Sequence, residues 1–200
     1  RHELFAEATC LRAGYAVTHE DATDFSKKHT EFIATHKTTG QKIAVEAKSR
    51  HGNSPLNYAS LLDSEESVKI RFGKLINDAI AKKPIDPLVI FVDTNLSSRA
   101  MKEFYPQNGK PAIPPKRISN ILNSARKEHG GKDPFSLIIF TNYLTQYGKE
   151  DEPHLPKSIL AIQTTVPTIV PRYPQAILEL YRAAEMHGNI PKHLPSHLTP

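Results

Sequence analysis

The chain has 200 residues, of which 38% are hydrophobic and 24% are charged, as expected of a globular protein with one sizeable core and no second full domain. The formal net charge of +5 suits a protein that meets phosphate backbones, although charge alone identifies no partner. The single cysteine, Cys10, excludes an intrachain disulfide and a cysteine-based zinc cluster, and its apolar helical surroundings predict a core position.

The first elements follow from hydrophobic periodicity and turn residues. A helix that ends near Gly14 carries an apolar stripe made of Leu4, Phe5, Ala8 and Leu11. A strand is predicted over 15–18, and residues 20–29 form a polar connection. Residues 31–48 then indicate two short strands joined by a turn that contains Gly40.

Later elements alternate between helices and strands. The apolar helical positions before Pro84 are Val68, Phe72, Leu75, Ile76 and Ala79. An unbroken apolar run at 88–92 fits a central strand covered on both faces. Further elements are predicted at 116–129 (helix), 135–140 (strand), 159–162 (strand) and 174–187 (helix). This alternation predicts one α/β domain with a mixed sheet over residues 1–200.

The hairpin is the most informative segment, because it brings acidic side chains together. If it folds about Thr39, Glu31 lies opposite Glu46 or Ala47. Directly opposed residues have Cβ atoms roughly 4.5–5.5 Å apart, so two carboxylates there repel unless a positive charge lies between them. A divalent cation supplies that charge and Lys48 can add more, since Mg²⁺ is often held by one or two carboxylates plus substrate phosphates. The hairpin therefore predicts a metal-dependent phosphodiesterase site.

The same residues carry a resemblance to a known family. An acid on one strand and Glu-x-Lys on the next, here Glu46-Ala47-Lys48, resemble the core motif of the PD-(D/E)xK nuclease superfamily. The family's first acid falls on Glu31. This chain has Thr30-Glu31 where the family more often has Pro-Asp, so two alternatives stay open for this acid: Asp24 and Asp21. The resemblance implies a restriction-endonuclease-like fold, with a mixed β-sheet core flanked by helices. Its α-β-β-β-α-β core would cover about 2–93, followed by a C-terminal β/α extension to about 188 and an extended tail at 189–200.

The resemblance also implies a chemistry. The protein would be a Mg²⁺-dependent deoxyribonuclease that hydrolyses phosphodiester bonds, an endonuclease of a restriction, defence or repair system. Glu31, Glu46 and the carbonyl of Ala47 would hold Mg²⁺, for which Mn²⁺ can substitute, and Lys48 would act on the reacting phosphate. Glu7 in the first helix best matches a glutamate that joins the metal site in some members. The alternative is a catalytically silent nuclease-fold subunit that binds nucleic acid or scaffolds a complex.

Basic residues near the hairpin are candidates for nucleic-acid contacts. Arg50 lies in the loop beyond the hairpin, and the second helix carries Lys69, Arg71 and Lys74. Duplex DNA is the expected partner, with RNA as an alternative, and a homodimer is compatible with the sequence. No apolar run approaches about 18 residues, so we expect no membrane partner and a cytoplasmic location.

Overall fold

The computed structural model describes residues 2–20, 23, 28–49, 65–94, 116–141, 159–163 and 167–186. Within these ranges, side chains are left undescribed at 65–71, 116–118, 159–163 and 185–186. In chain order the elements are α1 (His2–Arg12), β1 (Tyr15–Thr18), β2 (Phe32–His36), β3 (Lys42–Ser49), α2 (Glu65–Ile80), β4 (Leu88–Asp93), α3 (Lys116–Glu128), β5 (Leu137–Thr141), β6 (Ile159–Gln163) and α4 (Pro174–Met186). The predicted α/β class, a mixed sheet flanked by helices, is confirmed.

The described strands form one six-stranded sheet in the order β1-β2-β3-β4-β5-β6. β1, β2 and β3 are antiparallel neighbours, β3, β4 and β5 are parallel neighbours, and β6 returns antiparallel to β5. Every residue of β4 and β5 is buried, which explains their unbroken apolar sequences. The parallel strands are therefore the centre of the sheet, and β3 joins them to the antiparallel hairpins.

Helices cover both faces of this sheet. α1 and α4 pack on one face with Val45 and Ala47, whereas α2 and α3 pack on the other face with Ala44. Successive side chains of a strand point to opposite faces, so Glu46 and Lys48 belong to the α2 face. No helix in the described part of the chain is long and apolar enough to cross a membrane.

The predicted apolar stripe of α1 is wrong in part. Leu4 and Leu11 are 68% and 49% exposed, while Phe5 and Cys10 are buried against the sheet together with Ala6. Apolar residues occur on two sides of this helix, so periodicity alone does not select the buried side. Packing against β1, β3 and α4 selects it, and the core position predicted for Cys10 is confirmed.

The turn between β2 and β3 is fixed by its own hydrogen bonds. Gly40 has φ of 68°, a left-handed conformation that favours glycine, and its N–H donates to the carbonyl of His36. The side chain of His36 lies 2.9 Å from Thr39 Oγ1 through Nδ1 and 3.2 Å from Glu179 Oε2 through Nε2. Because Glu179 belongs to α4, these contacts hold the hairpin against that helix and fix its register.

Candidate carboxylate–lysine site

The register of the hairpin brings Glu31 and Glu46 together. Phe32 pairs with Val45, and the N–H of Glu31 donates to the carbonyl of Val45 at 3.0 Å, so Glu31 lies beside Glu46. Lys48 Nζ lies 2.5 Å from Glu46 Oε1 and 4.0 Å from Glu31 Oε1. Both carboxylates therefore converge on one ammonium group, on the sheet face that α2 covers.

Glu46 is the buried centre of this cluster. Its side chain is 0% exposed, whereas those of Glu31 and Lys48 are 27% and 23% exposed. A buried ionised carboxylate requires compensating charge, and Glu46 Oε1 has a second ammonium group, Lys82 Nζ, at 2.7 Å. Both lysines therefore form ion pairs with Glu46 Oε1, with N–O distances of 2.5 and 2.7 Å. Glu46 Oε2 accepts no hydrogen bond from the described residues and is itself buried, so a cation reaches it only when the groups that cover the carboxylate move.

Lys82 is the site residue that sequence reasoning missed. It lies in the turn after α2, where its N–H donates to the carbonyl of Ala79 at 3.2 Å, and its side chain is 20% exposed. No motif spacing connects Lys82 with Glu46, because their contact depends on how α2 packs against β3 and β4. The only sequence signal is a lysine between a long helix and a buried strand.

The electrostatics of the cluster favour a proton or a cation at Glu31. Burial raises the pKa of Glu31 above its usual value, and the negative charge of Glu46 raises it further. The ammonium groups of Lys82 and Lys48 oppose this rise without cancelling it. Burial and Glu46 thus disfavour the ionised form of the Glu31 carboxyl. A nearby divalent cation would stabilise that ionised form.

The α1 carboxylate that influences this cluster is Glu3. Its negative charge contributes to the raised pKa of Glu31. Glu7, the residue expected from the resemblance, has Oε1 3.6 Å from Nε2 of His19. The structure therefore pairs Glu7 with His19, and the role suggested for Glu7 in metal binding stays a prediction.

The other predicted site residues make none of the ion pairs described above. Ala47 is buried in β3 and pairs with Phe91 of β4, and Lys74 is exposed on α2. The side chains of Lys69 and Arg71 on α2 lie outside the described residues. So do three other candidates: Arg50, Asp21 and Asp24. The nucleic-acid contacts expected of these residues remain predictions.

The donor set is small but suits a hard cation. Within the described ranges, no group of three or more His, Cys, Asp or Glu side chains is arranged to hold a metal ion. Glu31 and Glu46 supply two carboxylates, and Mg²⁺ is commonly bound by one or two carboxylates, with waters and substrate phosphates completing its shell. The residues present therefore fit Mg²⁺ as a partly hydrated ion.

Comparisons with protein-family models, with curated proteins and with solved structures found no match to this chain. The geometry of the cluster and the Glu-x-Lys motif are therefore the features that bear on function.

Proposed function

We propose that this protein is a metal-dependent nuclease that hydrolyses DNA phosphodiester bonds. The observation that carries the proposal is the convergence of two carboxylates, Glu31 and Glu46, on the ammonium group of Lys48. The described elements up to Asp93 follow one another in the order α-β-β-β-α-β, which supports it, because a restriction-endonuclease-like core is expected to have that order. Glu46 Oε2, a buried carboxylate oxygen to which no described residue donates a hydrogen bond, supports a cation site in particular.

In this proposal Glu31, Glu46 and the carbonyl of Ala47 hold Mg²⁺, and Mn²⁺ substitutes for it. When bound, the ion lowers the pKa of a coordinated water and stabilises negative charge on the phosphate. Lys48 is fixed on the strand beside both acids, where its ammonium group orients the attacking water or neutralises the charge that develops on the phosphate oxygens. The rigid sheet keeps these groups in place, so little reorganisation is needed during the reaction.

Lys48→Ala tests the proposal, with Lys42→Ala as its matched control. Lys42 lies on the same strand and is exposed at its beginning, so its removal changes the charge equally without touching the cluster. Supercoiled plasmid should be cleaved by the wild-type protein in Mg²⁺ or Mn²⁺ and protected by a chelator. Cleavage by Lys48→Ala should fall by on the order of 10²–10³-fold, while DNA affinity stays nearly constant, because the lysine acts mainly in the transition state.

Equal cleavage rates for Lys48→Ala and Lys42→Ala would mean that Lys48 is only a structural partner of Glu46. The catalytically silent subunit is the second candidate, and one observation favours it: the carboxylate of Glu46 is fully buried beneath two lysines. DNA binding by the wild-type protein without cleavage in either metal would support that candidate over the nuclease.

A further inference from the structure

We infer that the ammonium group of Lys82 occupies the cation position at Glu46 and that a divalent cation binds there only by displacing it. This inference rests on the proposed function and adds a competing residue that the Glu-x-Lys motif does not contain. It makes Lys82 a determinant of how tightly the DNA-free protein binds a metal at this site.

Access of a cation to Glu46 depends on Lys82. The carboxylate is 0% exposed, and Lys82 Nζ lies 2.7 Å from its Oε1. Mg²⁺ binds carboxylate oxygens at about 2.0–2.1 Å, a position that an ammonium group at this distance already fills. Because the side chain of Lys82 is 20% exposed, a small rotation carries its charge into solvent and opens the carboxylate.

The two lysines differ in how firmly they are held in the cluster. Lys48 follows Glu46 by two positions on the same strand and also lies 4.0 Å from Glu31, so two acids retain it in the cluster. Lys82 comes from a turn outside the sheet and has its short contact with Glu46 alone among the described acids. Because both ammonium groups also attract Glu31, their attachment decides: Lys82, in the turn, leaves at lower cost than Lys48, which the strand holds in place.

The charge balance of the cluster also favours the departure of one lysine when a divalent cation binds. With every group ionised, the two acids and the two lysines cancel formally. A divalent cation added to that set leaves two positive charges in a partly buried site, which is unfavourable until one ammonium group departs. The displaced group is then available to pair with an anionic phosphate of the substrate.

Direct metal binding tests this inference. Electron paramagnetic resonance of free Mn²⁺ gives the dissociation constant of the DNA-free protein for four proteins: wild type, Lys82→Gln, Lys82→Arg and the control Lys83→Gln. If the carboxylate is free in about a tenth of wild-type molecules, Lys82→Gln should bind Mn²⁺ roughly tenfold more tightly. Lys82→Arg keeps the competing charge and Lys83→Gln removes only an exposed one, so both should stay within about twofold of the wild type.

Glu46→Gln separates failure of this inference from failure of the proposed function. Mn²⁺ binding that requires Glu46 but is equal in Lys82→Gln and wild type would overturn the role of Lys82 and leave the nuclease proposal intact. Absence of any Mn²⁺ binding that depends on Glu46, in wild type and in Lys82→Gln, would overturn both.

A measurement on the wild-type protein avoids any loss of folding in the variants. Acetic anhydride modifies free lysine amines, and mass spectrometry reports the extent of modification at each position. Saturating Mn²⁺ should raise modification of Lys82 severalfold, because the displaced amine enters solvent, while Lys83 should not change. Unchanged modification of Lys82 in protein that has bound Mn²⁺ would overturn the inference.

Discussion

Glu31→Gln should raise the stability of the protein while it abolishes cleavage. The substitution keeps the shape of the side chain and removes a charge that lies beside Glu46. Like charges facing each other across strands cost about 0.2–1 kcal/mol, and the raised pKa of Glu31 shows that burial and Glu46 outweigh the attraction of the lysines. For a chain of 200 residues, where 1 kcal/mol shifts Tm by about 2–4 °C, we expect a rise of about 0.4–4 °C at pH 7.

The pH dependence of this gain follows from the direction of the pKa shift. A carboxyl whose pKa is raised on folding binds more protons in the folded state, so its ionisation destabilises the fold above its folded pKa. That penalty disappears as the pH falls below the usual value of 4.5, where both states are protonated. The stability advantage of Glu31→Gln should therefore be greatest above the folded pKa of Glu31 and should vanish as the pH falls below 4.5.

Thermal unfolding followed by circular dichroism at several pH values measures both effects. Glu128→Gln is the control, because this exposed carboxylate at the end of α3 lies outside the cluster and should change stability by less than about 0.5 kcal/mol. A lower Tm for Glu31→Gln at pH 7 would refute the reasoning, since it would mean that the ionised carboxylate stabilises the fold through Lys48.

Three further predictions concern binding and packing. In Ca²⁺, the variant Glu46→Gln should still bind duplex DNA, and the logarithm of its binding constant should fall with the logarithm of the salt concentration with a slope of about −0.9 per phosphate contact. Fluorescence anisotropy at several salt concentrations measures this slope, and a salt-independent affinity would contradict phosphate binding. Burial raises the pKa of the Cys10 thiol, so iodoacetamide should modify Cys10 only when the protein unfolds, and rapid modification of the native protein would contradict the packing of α1. Arg126→Ala should lower the free energy of unfolding, measured by urea denaturation, by about 1–2 kcal/mol, because it leaves the buried carboxylate of Asp133 without its bidentate partner. The exposure of Arg126 limits this loss, and an unchanged urea midpoint would show that water replaces the arginine.

Much of the fold could be predicted because its strands have simple sequence signatures. The runs predicted at 88–92 and 135–140 correspond to Leu88–Asp93 and Leu137–Thr141, whose burial on both faces requires continuous apolar sequence. The helix expected at 116–129 matches Lys116–Glu128, since Gly130 and Gly131 adopt left-handed conformations directly after it. Such signals are local, and single-sequence reasoning detects them well.

The site could be predicted only as far as the hairpin defines it. Glu31 and Glu46 meet through a short turn, so their proximity follows from counting residues about Thr39. The contact of Lys82 with Glu46 and the influence of Glu3 on Glu31 depend instead on how helices cross the sheet. A pattern of residue types along the chain contains no information about those crossing angles.

The origin of the two lysines has a consequence for the order in which the protein folds. The β2–β3 hairpin is a local structure that could close within microseconds, but its closure faces Glu31 with Glu46 while Lys82 is still distant in the chain. Lys82 arrives only when α2 docks and β4 joins β3, a parallel pairing that requires closure of a long loop. The hairpin therefore closes with a single counter-ion, Lys48, and the charges of the cluster balance only once these long-range contacts have formed.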